Sequence, residues 1–434
     1  MDKMADVLGR AGAWCGQNKY LSAIKNAFQN FMPLTIAGAI GVLWCNVLVN
    51  DSTGLGLFFK PIMALDFLNP AFQAVNFCTI SCITVGITLG IAQEIGVWNM
   101  GAEKAGYIPG LVGLAAWLSV TNTSHMVDGA KEAFTGIAGN ELGATGLFTG
   151  MIIGVLSVEL FCFFEKQDAL KIKMPEQVPP GVARAFEVLV PATITLIITA
   201  CIGSACYNLT GLYLNDVIKN GIQGPLGAVG ATIPGVMIIY LVIMLFWLVG
   251  IHGNNMLSAV KEALFTPLAL ENVEKFNKGE KPTNIINMYA LQMWGEFGGS
   301  GVTIGLVIAI MIFGKREDNK AIATLSLVPG LFNINETVTF GVPMVLNPIL
   351  GIPFVVAPLI TIIIGYVLTV IGFCPVACLT VPWTTPPIVF GFLACGANVM
   401  GAVTQAILIV VSTVIYTPFL ISYEKYQNKQ AAEA

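Results

Sequence analysis

The chain has 434 residues, 56% of them hydrophobic and 11% charged, with a formal net charge of −4. A soluble chain carries roughly 25% charged residues, so this one has too little charge to coat a water-facing surface, and its mean hydropathy of +0.78 makes lipid its main solvent. An acidic balance without a basic stripe excludes a nucleic-acid partner, and ten scattered cysteines with two histidines offer no ligand set, so neither a metal nor a cofactor is expected.

The opening residues, Met1 to Asn30, carry Asp2, Lys3, Asp6, Arg10, Lys19 and Lys25 without an apolar core of the signal-peptide kind, so the first span serves as the insertion signal. Windows 26–50, 67–93, 105–127, 188–215 and 220–260 contain no Asp, Glu, Lys or Arg, and 142–158 is equally clean before Glu159. Each holds most of a crossing of about 20 residues. Six spans are expected, near 33–50, 72–93, 105–124, 142–163, 186–206 and 231–251. Lys19 to Phe31 and Ser258 to Phe276 mix charged and apolar residues and read as interfacial amphipathic helices or as solvated connectors. Four basic clusters, at Lys3 to Lys25, Lys166 to Arg184, Lys261 to Lys281 and Lys425 to Lys429, are all cytoplasmic by the positive-inside rule.

Thr337 through Tyr423 is an 87-residue stretch without a single Asp, Glu, Lys or Arg. Prolines from Pro329 to Pro387 interrupt the apolar C-terminal half, as broken helices and re-entrant hairpins do, and irregular backbone survives at membrane depth only where protein or a water-filled cavity covers it. That half is where a substrate site is expected. The cysteine pairs Cys78/Cys82 and Cys374/Cys378 read as small apolar residues packed between helices.

Ionisable groups in apolar surroundings are functional candidates, because a charge at mid-span costs about 2.5–3.5 kcal/mol. His252 lies in Trp247-Leu-Val-Gly-Ile-His-Gly-Asn-Asn255, where Gly250, Gly253, Asn254 and Asn255 supply a bent backbone and amides. Glu336 lies in the run from Asn333 to Pro348, beside Asn333 and Asn335. Imidazole and carboxylate accept protons near neutral pH and hydrogen-bond sugar hydroxyls; the plainer reading of either group alone is a buried, hydrogen-bonded polar residue. Val381-Pro-Trp-Thr-Thr-Pro-Pro387 sets Trp383 beside Thr384, an indole for an apolar sugar face with a hydroxyl at hand, or simply an interfacial tryptophan. His125 reads as an exposed loop residue, and Glu159 as a group that pairs or reaches the interface.

The three segments in this order, WLVGIHGNN, NINETVTFGVPMVLNP and VPWTTPP, resemble the EIIC permeases of the bacterial phosphotransferase system (PTS), in the lactose/cellobiose/diacetylchitobiose class, over essentially the whole chain. The resemblance implies an all-α polytopic membrane protein of about ten transmembrane helices with two re-entrant hairpins. It implies a homodimer in the cytoplasmic (inner) membrane with both termini cytoplasmic, residues 1–225 forming the dimerisation scaffold and 226–434 the sugar-binding transport domain. The sugar would be phosphorylated at its 6-hydroxyl by a phosphocysteine on a partner EIIB protein, itself supplied through EIIA, HPr and enzyme I. Carried onto this sequence, Glu336 is the expected base and His252 its orienting partner, with Asn335, Trp247, Gly253, Asn254, Trp383 and Thr384 as further sugar-binding residues. Family members commonly carry proline after that glutamate, where this chain has Thr337 with a free amide and a freer turn, which bears on sugar preference. The chain ends at Ala434 without a fused EIIB or EIIA domain, the arrangement common among cellobiose and diacetylchitobiose permeases, so a β-linked disaccharide of that kind is expected. An ion-coupled secondary sugar transporter would use the same broken helices, histidine and glutamate without a phosphoryl donor; an ATP-driven pump lacks its phosphate-binding loop in this chain.

Overall fold

The computed structural model of the chain describes residues 10, 13–14, 17–51, 55–125, 134–175 and 177–433. Lys3 of the first basic cluster, and Met126 to Asp128 beyond His125, lie outside the described residues. Apart from one short ladder pairing Ser124 with Thr135 and His125 with Phe134, regular structure among the described residues is helical. Six of those helices are long and apolar enough to cross a bilayer, and three apolar helices of 10–17 residues join them. The chain divides into two compact units, one of Gln17–Gly38 and Val75–Ala228, the other chiefly of Ala39–Ala74 and Val229–Ala434.

The first unit contains the start of α1 (Lys19–Leu43), then α2 (Ile83–Met100), α3 (Ile108–Val120), α4 (Ala144–Glu165) and α5 (Pro180–Thr210). Helices in lipid gain little from apolar burial against one another and instead approach closely through small residues. Here a Cβ on Gly113 would meet that of Ala92 at 2.3 Å, and one on Gly150 would meet the Thr88 hydroxyl at 2.2 Å. At one end of this unit Glu159 pairs with Lys19 at 2.5 Å, and the buried Glu165 receives Lys104 and Arg184, each at 2.9 Å. Glu159 thus pairs within the protein, and the first two basic clusters meet at one end.

The second unit is built from reversals. Helix α6 (Ile233–Leu248) is followed by α7 (Ser258–Asn277), which folds back along it. Lys261 Nζ lies 5.6 Å from the centre of the Tyr240 ring, and a Cβ on Gly230 would touch Leu264. The segment read as an interfacial helix is therefore packed into the unit, with Phe265 fully buried and Lys261 only 6% exposed. Next come α8 (Met288–Gly295) and α9 (Ile304–Phe313), one crossing interrupted in its middle. Helix α10 (Glu317–Leu331) and the short α11 (Glu336–Gly341) form a second hairpin, with Gly341 against Ile322. Helix α12 (Gly351–Val370) leads to an excursion that returns through α13 (Val389–Ala394), where Cys378 N donates to Ala394 O at 2.7 Å. Helix α14 (Val399–Glu433) closes the unit.

Hydrogen bonds fix the direction of the interrupted crossing. Gln405 Nε2 donates to Met293 O, Ser412 Oγ to Val302 O, and Lys315 N to Glu424, so α8 and α9 run parallel to α14. Between Gln405 and Glu424 an α-helix rises roughly 28 Å. At the α8 end, fully buried Asn272 of α7 bonds Asn284 O and Ala377 O, and Asn287, which caps α8, also reaches Ala377 O. Lys275 to Lys281 therefore stand at one end of this crossing, with Lys315, Arg316 and Lys425 at the other. The positive-inside rule put the third and fourth basic clusters on the same side, and the span count, which reached only the third, took 231–251 as a complete span, whereas α6 and α7 form a hairpin that returns to the end it left.

Candidate sugar site of the second unit

Four irregular segments converge in the second unit. The α6–α7 tip is bent by Gly250 (φ 80°) and presents His252 as the cap of the helical turn Gly253–Met256. A Cβ on Gly253 would lie 2.0 Å from Ile243 O, so only glycine lets this turn sit against α6. The α10–α11 tip turns at Asn333 (φ 62°) and presents Asn335 and Glu336. The excursion before α13 presents Trp383. The break between α8 and α9 brings Glu296 and then Gly298, Gly299 and Gly301, all at positive φ; a Cβ on Gly299 would lie 2.6 Å from the Asn335 amide carbon. A cavity opens among these segments.

Polar side chains stitch the segments together. Asn333 Oδ1 accepts from Gly298 N at 2.6 Å, while its Nδ2 donates to Trp383 O and to Thr385 O. Asn335 Nδ2 donates to Ser300 O at 2.7 Å, and Asn254 Nδ2 to Ser300 Oγ at 2.8 Å. Lys261 pairs with Glu296, whose Oε1 also accepts from Tyr240 OH at 2.7 Å, and Lys261 further donates to Asn254 Oδ1 at 3.4 Å. Leaving any of these donors unpaired would cost about 1–3 kcal/mol, so the wall is held by mutually dependent bonds.

The centre of the site is the approach of two tips: His252 Nε2 lies 3.9 Å from Glu336 Oε1. The backbone N–H of Asn255 donates to His252 Nδ1 at 3.2 Å, which places the proton of a neutral imidazole on Nε2, facing the carboxylate. A neutral ring 3.9 Å away makes neither an ion pair nor a direct hydrogen bond. The gap admits a hydroxyl that accepts from Nε2–H and donates to the carboxylate.

Of the residues expected from sequence, His252, Asn254, Asn335, Glu336 and Trp383 line the cavity together. Trp247, 1% exposed, stands behind the histidine, with ring centres 4.5 Å apart and its edge towards Phe354. Gly253 is a steric hinge, and Thr384 sits beside Trp383 in a turn closed from Thr385 N to Pro382 O. Glu296, Gln292, Ser300 and Gln405 line the cavity without having been singled out, as does Asn333, read only as a neighbour of Glu336. A usable signal existed for one of them: Glu296 is the sole charged residue between Lys281 and Lys315. His125, expected as an exposed loop residue, is instead partly buried in the short ladder of the first unit, its ring tilted against Phe134 with centres 5.6 Å apart.

Residues 25–358 match the family model described as "Phosphotransferase system, EIIC". This chain belongs to the PTS EIIC family. An oligo-beta-mannoside-specific EIIC component of Bacillus subtilis is 32% identical over 429 residues, covering 98% of this chain and 94% of the relative. A cellobiose-specific EIIC component of Lactococcus lactis is 29% identical, with 98% of each chain covered. The crystal structure of the transporter ChbC, the IIC component of an N,N'-diacetylchitobiose-specific phosphotransferase system, superposes with a TM-score of 0.88 at 29% identity, covering 97% of both chains. The EIIC chain is thus a helical, multi-pass membrane permease for sugar. Its cavity carries hydroxyl-binding groups and an indole, the equipment a neutral carbohydrate needs.

Proposed function

We propose that this EIIC chain takes up a β-linked disaccharide of the cellobiose or diacetylchitobiose kind and presents its 6-hydroxyl to the phosphocysteine of an EIIB partner. The observation that carries the reading is the 3.9 Å gap between a neutral His252 and Glu336. The 6-hydroxyl fills the gap, accepting from Nε2–H while donating to the carboxylate. As its oxygen attacks the phosphorus, the hydroxyl proton passes to Glu336 and the EIIB thiolate leaves. Phosphoryl transfer needs little beyond positioning and charge stabilisation, and general-base assistance adds a typical 10²–10⁴-fold. Trp383 packs on an apolar ring face, and Asn254 and Asn335 orient further hydroxyls. The choice of a β-linked disaccharide is supported by the relatives, whose named sugars include cellobiose and diacetylchitobiose.

The same reading places the protein in the bacterial cytoplasmic membrane as a homodimer with both termini inside, residues 1–225 as the scaffold and 226–434 as the transport domain. In that orientation the α10–α11 hairpin and the excursion carrying Trp383 enter as re-entrant elements from opposite faces. The phosphoryl group reaches EIIB from enzyme I through HPr and EIIA.

The test is uptake of radiolabelled cellobiose into vesicles with and without phosphorylated EIIB, followed by separation of free sugar from sugar 6-phosphate. Label is expected only as the phosphate and only with the donor. Free sugar accumulating under an ion gradient would instead identify a secondary transporter. Glu336→Gln should bind cellobiose normally while phosphorylation falls at least about tenfold; unimpaired phosphorylation would remove Glu336 from the chemistry.

A further inference from the structure

Glu296 and Gln292 have no part in the phosphoryl step, yet both line the cavity. They lie one helical turn apart at the end of α8, where Glu296 N donates to Gln292 O at 3.2 Å, so their side chains share a face. The Gln292 amide oxygen is buried with no hydrogen-bond partner. Glu296 is half-satisfied in a specific way: Oε1 takes both Tyr240 OH and Lys261 Nζ, and among the described residues no hydrogen bond reaches Oε2. An orphaned acceptor inside a protein calls for a donor, and a partly buried carboxylate is steadied by an opposite charge. Lys261, on the returning limb of the α6–α7 hairpin, supplies that charge without itself lining the cavity.

We propose that Gln292 and Glu296 form a second hydroxyl-binding subsite, two acceptors that require a donating hydroxyl of the sugar other than the one phosphorylated, with Lys261 as the positioning residue that holds Glu296 in place. The subsite rests on the sugar-binding reading of the cavity and deepens it into a statement about selectivity. A site with two acceptors rejects a sugar that lacks the matching hydroxyl, because Gln292 Oε1 is then left buried and unpaired and Glu296 Oε2 without a sugar donor. Lys261 also acts through Asn254: by donating to Oδ1 it commits the Asn254 amide hydrogens to Ser300. The charge pair therefore orients two walls of the cavity at once.

The test is calorimetric binding of cellobiose and its monodeoxy analogues to the purified full-length protein and to Gln292→Met, Glu296→Gln, Lys261→Met and the double variant Lys261→Met/Glu296→Gln. Wild-type protein should bind at least one monodeoxy analogue about tenfold or more weakly, the scale of an unsatisfied buried polar group. In Gln292→Met and Glu296→Gln that penalty should shrink to within about threefold, since the protein partner of the missing hydroxyl is already gone. The double variant separates positioning from folding. With both charges removed it should melt close to wild type while keeping the weak cellobiose affinity of Glu296→Gln; recovery of full affinity would reduce the pair to a structural one and overturn the subsite. If Glu296→Gln alone fails to fold, Gln292→Met carries the comparison. Unchanged deoxy penalties in a protein that binds cellobiose normally would overturn the subsite alone. Failure of the wild-type protein to bind cellobiose would overturn the substrate reading together with it.

Discussion

Replacing Gly253 by alanine tests whether the histidine tip is held by backbone contact. The new Cβ would stand 2.0 Å from Ile243 O and 2.8 Å from its carbonyl carbon, where real Cβ atoms do not approach within 3.0 Å. Both partners are main chain, so no side chain can rotate away, and the tip must retreat from α6 by about 1 Å. Overpacking of this kind costs about 1–3 kcal/mol, and a displacement of about 1 Å at a reacting centre costs about 10²-fold in rate. His252 is the adjacent residue, so the loss should fall on phosphorylation more than on folding. Sugar phosphorylation with saturating phospho-EIIB should drop about 10²-fold, while the melting temperature of the purified protein falls by a few degrees. Gly181→Ala, at a site where a Cβ would meet nothing within 4 Å, is the matched control and should leave both unchanged. Wild-type turnover in Gly253→Ala would refute the claim that this close approach sets the histidine.

Sugar affinity should be flat above pH about 6.5, the ordinary imidazole value, and fall below it. The folded protein uses Nδ1 as an acceptor, so binding is intact at higher pH and declines as falling pH protonates Nδ1 and breaks its bond from Asn255. An affinity that rises on acidification would contradict the neutral tautomer. Asn272→Ala removes a fully buried amide that bonds Thr283 N, Asn284 N, Asn284 O and Ala377 O, and should destabilise the second unit by about 2–4 kcal/mol in denaturation, scaled from about 1–3 kcal/mol per orphaned group. Single cysteines at Lys278 and Lys320 should react with a membrane-impermeant thiol reagent from opposite faces of the membrane, in a background lacking the native cysteines. Labelling of both from one face would defeat the assigned direction of the α8–α9 crossing.

The legible part of this protein lay where unusual residues break apolar sequence. His252 and Glu336 were visible because a polar group among glycines and asparagines has few bland explanations, and Trp383 because a proline turn held it. Glu296 obeys the same rule, as the lone charge between Lys281 and Lys315, but lying in none of the three motif segments it reads as an ordinary paired carboxylate. Lys261 was hidden for a different reason: it sits in a segment whose mixed charge reads as solvated, and only the fold-back of α7 on α6 buries it. Ser300 and Gln405 carry no sequence signal at all, being ordinary polar residues that a helix break and a neighbouring helix bring to the cavity. Topology failed at the same hairpin. Hydropathy measures whether a segment tolerates lipid, and a stretch that enters and turns back satisfies that measure as well as one that passes through.

The meeting of the two tips has an architectural consequence. The limbs that carry His252 are rooted at the α8 end of the unit, and those that carry Glu336 at the α9 end, so the imidazole and the carboxylate belong to pieces anchored on opposite sides. Beside them, among the described residues, the direct backbone link between the pieces is a single hydrogen bond, from Leu346 N to Leu248 O at 2.8 Å. The floor of the cavity is therefore a seam. Each lip keeps its own anchorage at its own end of the unit, and the two meet through this link and through Ser300, which Asn254 and Asn335 both bond.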